Sequence, residues 1–522
     1  MHSPNGLFIH WRNALNDRAN SKRDNETLSD YYDRLREKSD REDLVMFINA
    51  CFAATRQNEF YTDRFEQSVS IDFLHRYVMN NYRRIYARTI ASGINDFNRA
   101  QIIANLLAGG APADPQHRSE EGRLIANGLK RLPPNRVFKL FRELQSRRVN
   151  NRRTRAVIRR YLDSRRQPEF DAIKYSRKYR AAAAHAHLKL DPEIGSFLFD
   201  FKRRSSYETP LLDKYREAHY SASAIYELPF TVAQSLALKH KVPRKVFFEK
   251  IQHKMTASEK LRFQATAERT RGVTIEFDLS TAGLTKLAIY ILSLDPTKRA
   301  DRIEELESAM QRSARRAIER SPLSLGRVAA VLDRSRSSAG SRQKRNRPLA
   351  VALAASYLLR EASKEFKSFW SLPIESLNES ETELMVTPKG QTGLAEPILE
   401  AVQWNPDLLV IVSDGYENDP PDIAAQVVRV YQEKIAKQKM PEIIHMNPVF
   451  DSNHYSPKPL GNSFRDAPGD APLDPIATTG LRDAEDISTM IGFARFANGT
   501  AKLDVLEDYL ASLAESMTKG DN

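Results

Sequence analysis

From about residue 321 to the C-terminus, short apolar runs alternate with amphipathic segments, and this alternation constrains the fold more than any other feature. Strand-like runs are GRVAAVLDRS, SFWSL, ETELMV, DLLVIVSDG and EIIHMNPV, and helix-like runs are RPLAVALAASYLLREAS, AEPILEAVQ and DIAAQVVRVYQEKIA. Two more helices are expected near 486–496 and 502–515. Continuous apolar strands separated by helices are typical of a parallel sheet covered on both faces. The pattern therefore predicts a doubly wound, Rossmann-like α/β domain over 321–522.

The first 320 residues have a different pattern, in which helix follows helix. Segments such as REDLVMFINACFAATRQ and NRVFKLFRELQSRR carry apolar residues at three- and four-residue intervals. A short β-like run, VTIEFDL at 273–279, interrupts them. Degenerate helical pairs of the HEAT type and an irregular helical domain fit equally well. Because a single core stops growing at roughly 300 residues, we expect two domains, 1–320 and 321–522.

Charge is divided unevenly between these two regions. From Ser321 onward 21 Lys and Arg stand against 28 Asp and Glu, whereas the whole chain has a net charge of +13, so the residues before Ser321 carry +20. Between Lys130 and Arg180 there are 18 basic residues and four acidic ones. A region this basic favours a polyanionic partner. The alternative is a solvated face that the acidic half balances.

The basic region predicts an RNA-binding surface. Arg148, Arg152, Arg155 and Arg159 have the spacing of one stripe on a helix, where unpaired cations repel one another unless phosphates lie along them. Three tyrosines that interleave this region are expected to stack on unpaired bases: Tyr161, Tyr175 and Tyr179. The candidate RNA-binding residues are Arg147, Arg148, Arg152, Arg153, Arg155, Arg159, Arg160, Lys174, Arg177, Lys178 and Arg180.

Oxygen-bearing side chains follow the predicted strands of the second half. The first strand ends in Asp333-Arg-Ser335-Arg-Ser337, a later loop supplies Thr392, and the loop after DLLVIVSDG supplies Asp414. Ligands of open α/β sheets bind at the carboxyl ends of the strands, and a hard cation such as Mg²⁺ prefers oxygen ligands. The sequence therefore predicts one divalent metal ion held by three loops. The alternative is that Asp333 caps a turn and Asp414 closes a loop without metal.

These residues resemble the metal-ion-dependent adhesion site of von Willebrand factor A domains, which pairs an Asp-x-Ser-x-Ser loop with a Thr and a later Asp. The resemblance implies that the five residues hold the metal directly or through water, and that one coordination position stays open for a carboxylate of a protein partner. Arg334 and Arg336 stand between the ligands, where they would weaken metal affinity or recruit an anionic partner. Glu417, in SDGYEND, is expected to be a solvated loop charge.

A basic helical half followed by such a domain is similar to the Ro autoantigen, or TROVE-module, family of RNA-binding proteins. Phrases such as ELPFTVAQSLALKHKVPRKVFFEKI and MTASEKLRF look like its repeat region. The resemblance implies a HEAT-type helical region that binds small noncoding or misfolded RNA, in RNA stability, quality control or repair. The competing hypothesis is a metal-dependent protein-interaction adaptor without an RNA role.

Other classes of protein are disfavoured by what the sequence lacks. It has no Gly-rich phosphate loop and no supported Ser/His/Asp arrangement, so no enzyme activity is expected. Its longest apolar run, 348–359, is shorter than the roughly 20 residues that span a bilayer. Its single cysteine, Cys51, lies in an apolar stretch and is expected to be buried and inert. These features predict a cytoplasmic protein.

Overall fold

The computed structural model describes residues 28–59, 64–269, 275, 277–374, 382–421, 423–435, 440–453, 457–458, 460, 476–497 and 503–519. Within them the chain is mostly helical and contains a five-stranded parallel sheet. The helices are α1 (Leu28–Ala53), α2 (Arg64–Asn81), α3 (Arg83–Arg88), α4 (Asp96–Ala108), α5 (Pro115–Arg131), α6 (Pro134–Ser146), α7 (Arg152–Asp163), α8 (Pro168–Lys174), α9 (Ser176–His185), α10 (Pro192–Asp200), α11 (Pro210–Glu217), α12 (Phe230–Lys239), α13 (Arg244–Ile251), α14 (Ala257–Arg269), α15 (Leu284–Ser293), α16 (Pro296–Asp301), α17 (Ile303–Arg320), α18 (Arg347–Ala362), α19 (Ala395–Gln403), α20 (Ile423–Val430), α21 (Ile487–Ala497) and α22 (Leu503–Lys519). The strands are β1 (Leu325–Leu332), β2 (Ser363–Trp370), β3 (Leu408–Val412), β4 (Glu442–Asn447) and β5 (Ala477–Gly480).

The described residues fall into two compact units. Unit 1 comprises those within 28–81, 93–95 and 283–512, and unit 2 comprises those within 82–92, 96–282 and 513–519. This division differs from the predicted 1–320 and 321–522, because helices on both sides of the basic region pack into the unit that holds the sheet. Helices α15 and α17, for example, both pack on α18.

The sheet of unit 1 has the strand order β2-β1-β3-β4-β5, and every neighbouring pair is parallel. Strand β3 is apolar and buried along its whole length, and β1 is apolar and buried from Val328 to Leu332. Helices cover both faces, which is why these strands show no polar alternation. Helix α18 is buried from Pro348 to Leu359, and helices α19 and α20 pack against Val331, Leu409 and Ile411. The predicted α/β architecture of this region is confirmed.

Helix α1 covers the edge of the sheet at β5. The side chain of Asn49 donates from Nδ2 to the carbonyl of Thr478 (3.0 Å), and its Oδ1 accepts from the amide of Gly480 (3.2 Å). A Cβ at Gly480 would stand 2.7 Å from the Asn49 carbonyl, so the close approach requires glycine. An unpaired strand edge is otherwise a template for aggregation. Helix α1 therefore belongs structurally with the sheet.

Unit 2 is helical where it is described, and aromatic rings form part of its core. Phe138 of α6 packs against Phe141, Tyr161, Tyr175 and Tyr179, with ring centroids 5.1 to 6.4 Å apart. A second cluster consists of Phe230, Phe247, Phe248 and Phe263. Such rings contribute both buried area and preferred edge-to-face contacts. Division into HEAT-type repeats stays a prediction.

Most predicted elements of the second half are present, with two differences. The run ETELMV was predicted as a strand, but Glu383–Met385 is a single 3-10 turn that begins at Thr382, whose hydroxyl accepts from the amide of Leu384. Strand β5 was not predicted, because ATTG is too short and polar to stand out. Of the β-like run at 273–279, the structure describes residues 275 and 277–279; none of these four is in a strand, and Leu279 begins a single 3-10 turn. Cys51 is buried, as predicted. Among the described helices, none combines the length and apolar character needed to cross a bilayer.

Candidate metal centre and candidate RNA surface

Backbone hydrogen bonds join the three loops that carry the predicted metal ligands. The first loop carries Asp333, Ser335 and Ser337, the second carries Thr392, and the third carries Asp414. The amide of Lys389 donates to the carbonyl of Arg334 (2.7 Å), and the amide of Arg336 donates to the carbonyl of Gly390 (3.0 Å). On its other side, the second loop pairs with the third: the carbonyl of Thr392 accepts from the amide of Asn418 (3.1 Å). The three loops therefore form one continuous rim at the carboxyl ends of β1 and β3, as predicted from the parallel sheet.

The first loop brings its three predicted oxygen ligands together. Asp333 Oδ1 accepts from the amide of Ser335 (2.8 Å), and Asp333 Oδ2 accepts from the Ser335 hydroxyl (3.1 Å). The hydroxyls of Ser335 and Ser337 are 3.0 Å apart. All three residues are buried. The alternation of ligand and non-ligand residues in Asp-x-Ser-x-Ser thus turns three oxygens toward the same point.

Asp414 faces the same cavity as Asp333. Both line it, together with Ser338, Ser413 and Pro348. Burial, and then the negative charge of Asp414, raise the pKa of Asp333 to about 7 from 3.8. Two like charges held in a buried cavity repel each other, so the pair gains from either a proton or a metal ion.

Thr392 lies on the loop between these two groups, and it is buried. Its amide donates to Asn418 Oδ1 (2.9 Å), which fixes its backbone. Among the described contacts, its hydroxyl makes no hydrogen bond to the other four predicted ligands. The structure therefore gathers Asp333, Ser335, Ser337 and Asp414 and places the Thr392 loop alongside.

Two charged residues near the site, Arg334 and Glu417, differ from their predicted roles. Arg334 was expected to stand beside the metal, but it is buried and its guanidinium turns away: Nε donates to the Thr387 carbonyl (3.1 Å), and Nη1 donates to the Pro373 carbonyl. Arg336 is exposed. Glu417 is not a solvated charge, because its carboxylate accepts from the amides of Leu394 (3.2 Å) and Ala424 (2.7 Å) and so ties the second loop to the start of α20.

Sequence reasoning missed several groups that support the site. The hydroxyls of Ser413 and Ser371 donate to the Asp333 carboxylate at 3.3 and 3.4 Å. His445 is fully buried on β4, with Nε2 3.0 Å from the Ser413 carbonyl and Nδ1 3.1 Å from the Thr478 hydroxyl. Because a carbonyl only accepts, Nε2 carries the proton. Burial lowers the pKa of His445 to about 4, so it is neutral near pH 7. Ser413 was visible as the residue before Asp414, but nothing in the sequence pairs Ser371 or His445 with it.

In unit 2 most of the predicted RNA-binding residues lie at the surface. Seven of them are exposed and form no ion pair with an acid in the part of the chain that the structure describes: Arg148, Arg152, Arg159, Arg160, Lys174, Arg177 and Arg180. Lys174 and Arg180 lie over aromatic rings, at 5.1 Å from the Phe170 centroid and 5.9 Å from the Phe199 centroid. A dense group of unpaired surface cations is what a phosphate backbone neutralises.

Other residues of the predicted RNA set have structural contacts. Arg153 donates to the buried carboxylate of Glu121, which also holds Arg83 (Nε–Oε2 3.0 Å), so these groups tie α3, α5 and α7 together. Arg147 donates to Asn105 Oδ1 (3.0 Å) and pairs with Glu143. Arg155 and Lys178 are half-buried.

The predicted single stripe of arginines is divided between two elements. Helix α6 ends at Ser146, Arg148 has a φ of 56°, and α7 begins only at Arg152. Asn151 causes the break, because its side chain accepts from the amide of Thr154 (2.8 Å) as a helix N-cap. Only Arg152, Arg155 and Arg159 therefore share one helix.

The predicted base-stacking role of the tyrosines is wrong for Tyr161 and Tyr179. Both are buried in the aromatic core around Phe138. Tyr175 is half-buried, with its ring centroid 5.1 Å from that of Phe138. Their spacing on α7 and α9 reflects packing, which sequence alone could not distinguish from an exposed aromatic stripe.

Comparisons with known proteins yield likenesses to solved structures. No protein-family profile matches the sequence, and no curated protein matches it. Among solved structures, the chain is similar to the crystal structure of the Deinococcus radiodurans RO (RSR) protein, with 14% sequence identity and a TM-score of 0.46. The alignment covers 88% of this chain and 100% of that one. A likeness of this degree assigns no function.

Among the described residues, no group of three or more His, Cys, Asp and Glu side chains could hold a metal ion. A metal between Asp333 and Asp414 would therefore depend on hydroxyl oxygens as well as on the two carboxylates. That donor set contains only oxygen, which suits Mg²⁺ or Mn²⁺ and disfavours zinc.

Proposed function

We propose that this chain is a noncatalytic RNA-binding protein whose unit 2 binds the RNA backbone. The observation that carries the proposal is the set of seven exposed cations on 148–180 that have no ion-pair partner among the described residues. Like charges at this density repel one another and lower stability unless an anion lies over them. Phosphates of a nucleic acid supply a row of negative charges that neutralises such cations. Small noncoding or misfolded RNA is the proposed ligand class, in RNA stability, quality control or repair.

We further propose that unit 1 is a von Willebrand factor A-type domain that binds one Mg²⁺ ion. In octahedral coordination with Mg–O distances near 2.1 Å, adjacent ligand oxygens are about 3.0 Å apart. The spacings of 3.1 Å from Asp333 Oδ2 to Ser335 Oγ and 3.0 Å from Ser335 Oγ to Ser337 Oγ fit such an edge. Asp333, Ser335, Ser337 and Asp414 would hold the ion, and Thr392 would join them directly or through water.

The metal would supply positive charge and an attachment point for an acidic side chain of a protein partner. Side chains of this chain would orient the ligands and hold the loops together. Ser371 and Ser413 orient the Asp333 carboxylate through their hydroxyls, and Glu417 fixes the second loop against the third. Isothermal titration with Mg²⁺ and Mn²⁺ tests the site: wild type should release or absorb heat, and Asp333→Ala should not.

RNA binding is tested by filter binding of a labelled oligonucleotide across a salt series. Affinity should fall steeply as salt rises, and the variant Arg152→Gln/Arg159→Gln/Arg160→Gln should bind more weakly with a shallower slope. A variant with the same change of charge at exposed sites within 245–254, Lys245→Gln/Lys250→Gln/Lys254→Gln, is the matched control. Affinity that ignores ionic strength, or no binding at low salt, would contradict the proposal. RNA incubated with the protein and Mg²⁺ should stay intact.

The second candidate function is a metal-dependent protein-interaction adaptor. The convergence of two carboxylates and two hydroxyls at a rim of the sheet supports it independently of the basic surface. Pull-down from host extract with wild type and with Asp333→Ala separates the two functions. A protein that is recovered only with wild type and Mg²⁺, with no RNA in the eluate, would favour the adaptor.

A further inference from the structure

Helices α6 and α9 pack against each other and bring cations of both helices together, along the line of contact that is here called the α6–α9 cleft. The predicted RNA-binding residues include only part of this group. Asn135, Lys139 and Arg142 occupy positions i, i+4 and i+7 of α6, so they share one face of the helix. Lys178 of α9 meets this face, since its Nζ donates to Asn135 Oδ1 at 2.7 Å. The aromatic core fixes the approach of the two helices, because Phe138 of α6 lies next to Lys139 and packs on α9.

Three of these four side chains, those of Lys139, Arg142 and Lys178, are positively charged. Burial, and then the charges of Lys139 and Arg142, lower the pKa of Lys178. Lys139 and Arg142 are exposed, and neither forms an ion pair within the described ranges. Clustered charges of one sign raise the local concentration of the opposite ion.

The start of α9 strengthens the same field. Its N-cap residue is Tyr175, and no side chain caps the helix there. The positive end of the helix dipole favours an anion, but the first turn instead carries Arg177 and Lys178. Cations at this position are unfavourable for the isolated helix. An anion bound between α6 and α9 would offset both the dipole and the clustered side chains.

We propose that the α6–α9 cleft, formed by Asn135, Lys139, Arg142 and Lys178, is a seat for consecutive phosphates of a single-stranded RNA backbone. Arg142 offers a planar fork of donors for one phosphate, and the two lysines are point charges. Asn135 holds Lys178 in place. The proposal rests on the RNA binding proposed above, and it adds the residues Lys139, Asn135 and Arg142, which the sequence did not single out.

The test is RNA affinity of the full chain, measured by fluorescence anisotropy with a labelled single-stranded RNA across a salt series. The cleft variant is Lys139→Gln/Arg142→Gln/Lys178→Gln, and the matched control is Lys189→Gln/Arg204→Gln/Lys254→Gln, which removes the same charges from exposed positions of unit 2. Three phosphate contacts should account for a decrease of about 2 in the slope of log affinity against log salt. The cleft variant should show this decrease and bind about tenfold to hundredfold more weakly near physiological salt. The control should keep the wild-type slope.

Two further arms identify the ligand and guard against misfolding. Lys139→Arg/Lys178→Arg keeps the charge and should bind like wild type. Inorganic phosphate and tripolyphosphate serve as competitors: weak competition is expected, since a single phosphate forms few of the contacts. If tripolyphosphate affinity falls in the cleft variant and RNA affinity does not, the seat takes free polyphosphate and the proposal is overturned.

The outcomes also separate this inference from the proposed function. If wild type binds RNA with strong salt dependence and the cleft variant matches the control, the cleft is not a phosphate seat but RNA binding stands. If wild type binds no RNA at low salt, both fail. Loss of RNA binding in the cleft variant with an unchanged far-ultraviolet spectrum supports both.

Discussion

Replacing Asp333 with asparagine is expected to stabilise metal-free unit 1 at alkaline pH and to abolish its stabilisation by Mg²⁺. Asparagine has the shape of aspartate, and its carbonyl can still accept from the amide of Ser335. Its amide nitrogen can donate to a neighbouring hydroxyl. The substitution therefore removes the charge that burial and Asp414 both disfavour, while it keeps the packing.

The size of the effect follows from the pKa of Asp333, which rises to about 7 from 3.8. Each unit is worth about 1.4 kcal/mol, so the charged carboxylate costs the folded state about 4 kcal/mol. Between these two pH values the folded protein keeps a proton that the unfolded chain has lost. Stability therefore falls as pH rises through this window, and the full cost is present above pH 7.

The assay is urea unfolding in EDTA from pH 4 to pH 8.5, followed by tryptophan fluorescence. Trp370 and Trp404 both lie in unit 1, on and near the sheet. The stability of Asp333→Asn minus that of wild type should be near zero at pH 4 and should grow to at most about 4 kcal/mol at pH 8. Adding Mg²⁺ at 100 times its Kd should then stabilise wild type by about 2.7 kcal/mol and leave the variant unchanged.

Glu400→Gln, which neutralises an exposed acid on α19, is the control and should show neither effect. A difference between Asp333→Asn and wild type that does not vary with pH would refute the reasoning, since it would mean that the carboxylate is not strained by burial and by Asp414. Equal stabilisation of both proteins by Mg²⁺ would show that the ion binds elsewhere.

Three other substitutions test buried groups other than the five predicted metal ligands. Burial lowers the pKa of His445, so wild type should lose at most about 3 kcal/mol of stability as pH falls from 6.5 to about 4, and His445→Gln should not show this loss. Unfolding curves measured across this pH range test the prediction, and the same loss of stability in both proteins would contradict it. Lys344→Met should destabilise unit 1 by about 3–5 kcal/mol, because it leaves the buried Glu59 without its cation. The double variant Glu59→Leu/Lys344→Met should recover most of that loss. Thermal melts of both variants test this, and no recovery in the double variant would contradict the proposed role of the Glu59–Lys344 ion pair. Phe138→Ala should lower the stability of unit 2 by about 3–5 kcal/mol because of the cavity it leaves. Arg159→Gln, at an exposed position, should lower it by less than about 0.5 kcal/mol. Thermal melts followed by circular dichroism should distinguish the two variants, and equal melting temperatures would contradict the assigned core.

The parallel sheet and the convergence of oxygen-bearing side chains at its rim could be predicted because they depend on local sequence. Short apolar runs such as Leu408–Val412, with polar and turn residues on either side, favour strands buried on both faces, and the residues after such strands meet at one edge. Asp333, Ser335 and Ser337 lie on one short loop, so their alternation already places them together. Asp414 follows from the same rule applied to β3.

Long-range contacts decided the rest. The sequence could not show that α1 closes the sheet edge through Asn49, that Ser371 and His445 support the metal loops, or that Tyr161 and Tyr179 are buried against Phe138. It also could not show that Lys178 lies against the face of α6 that carries Lys139 and Arg142. Periodicity tells which residues share a face of one helix or strand, but the burial and charge of that face depend on what packs against it, and the partner is distant in the chain.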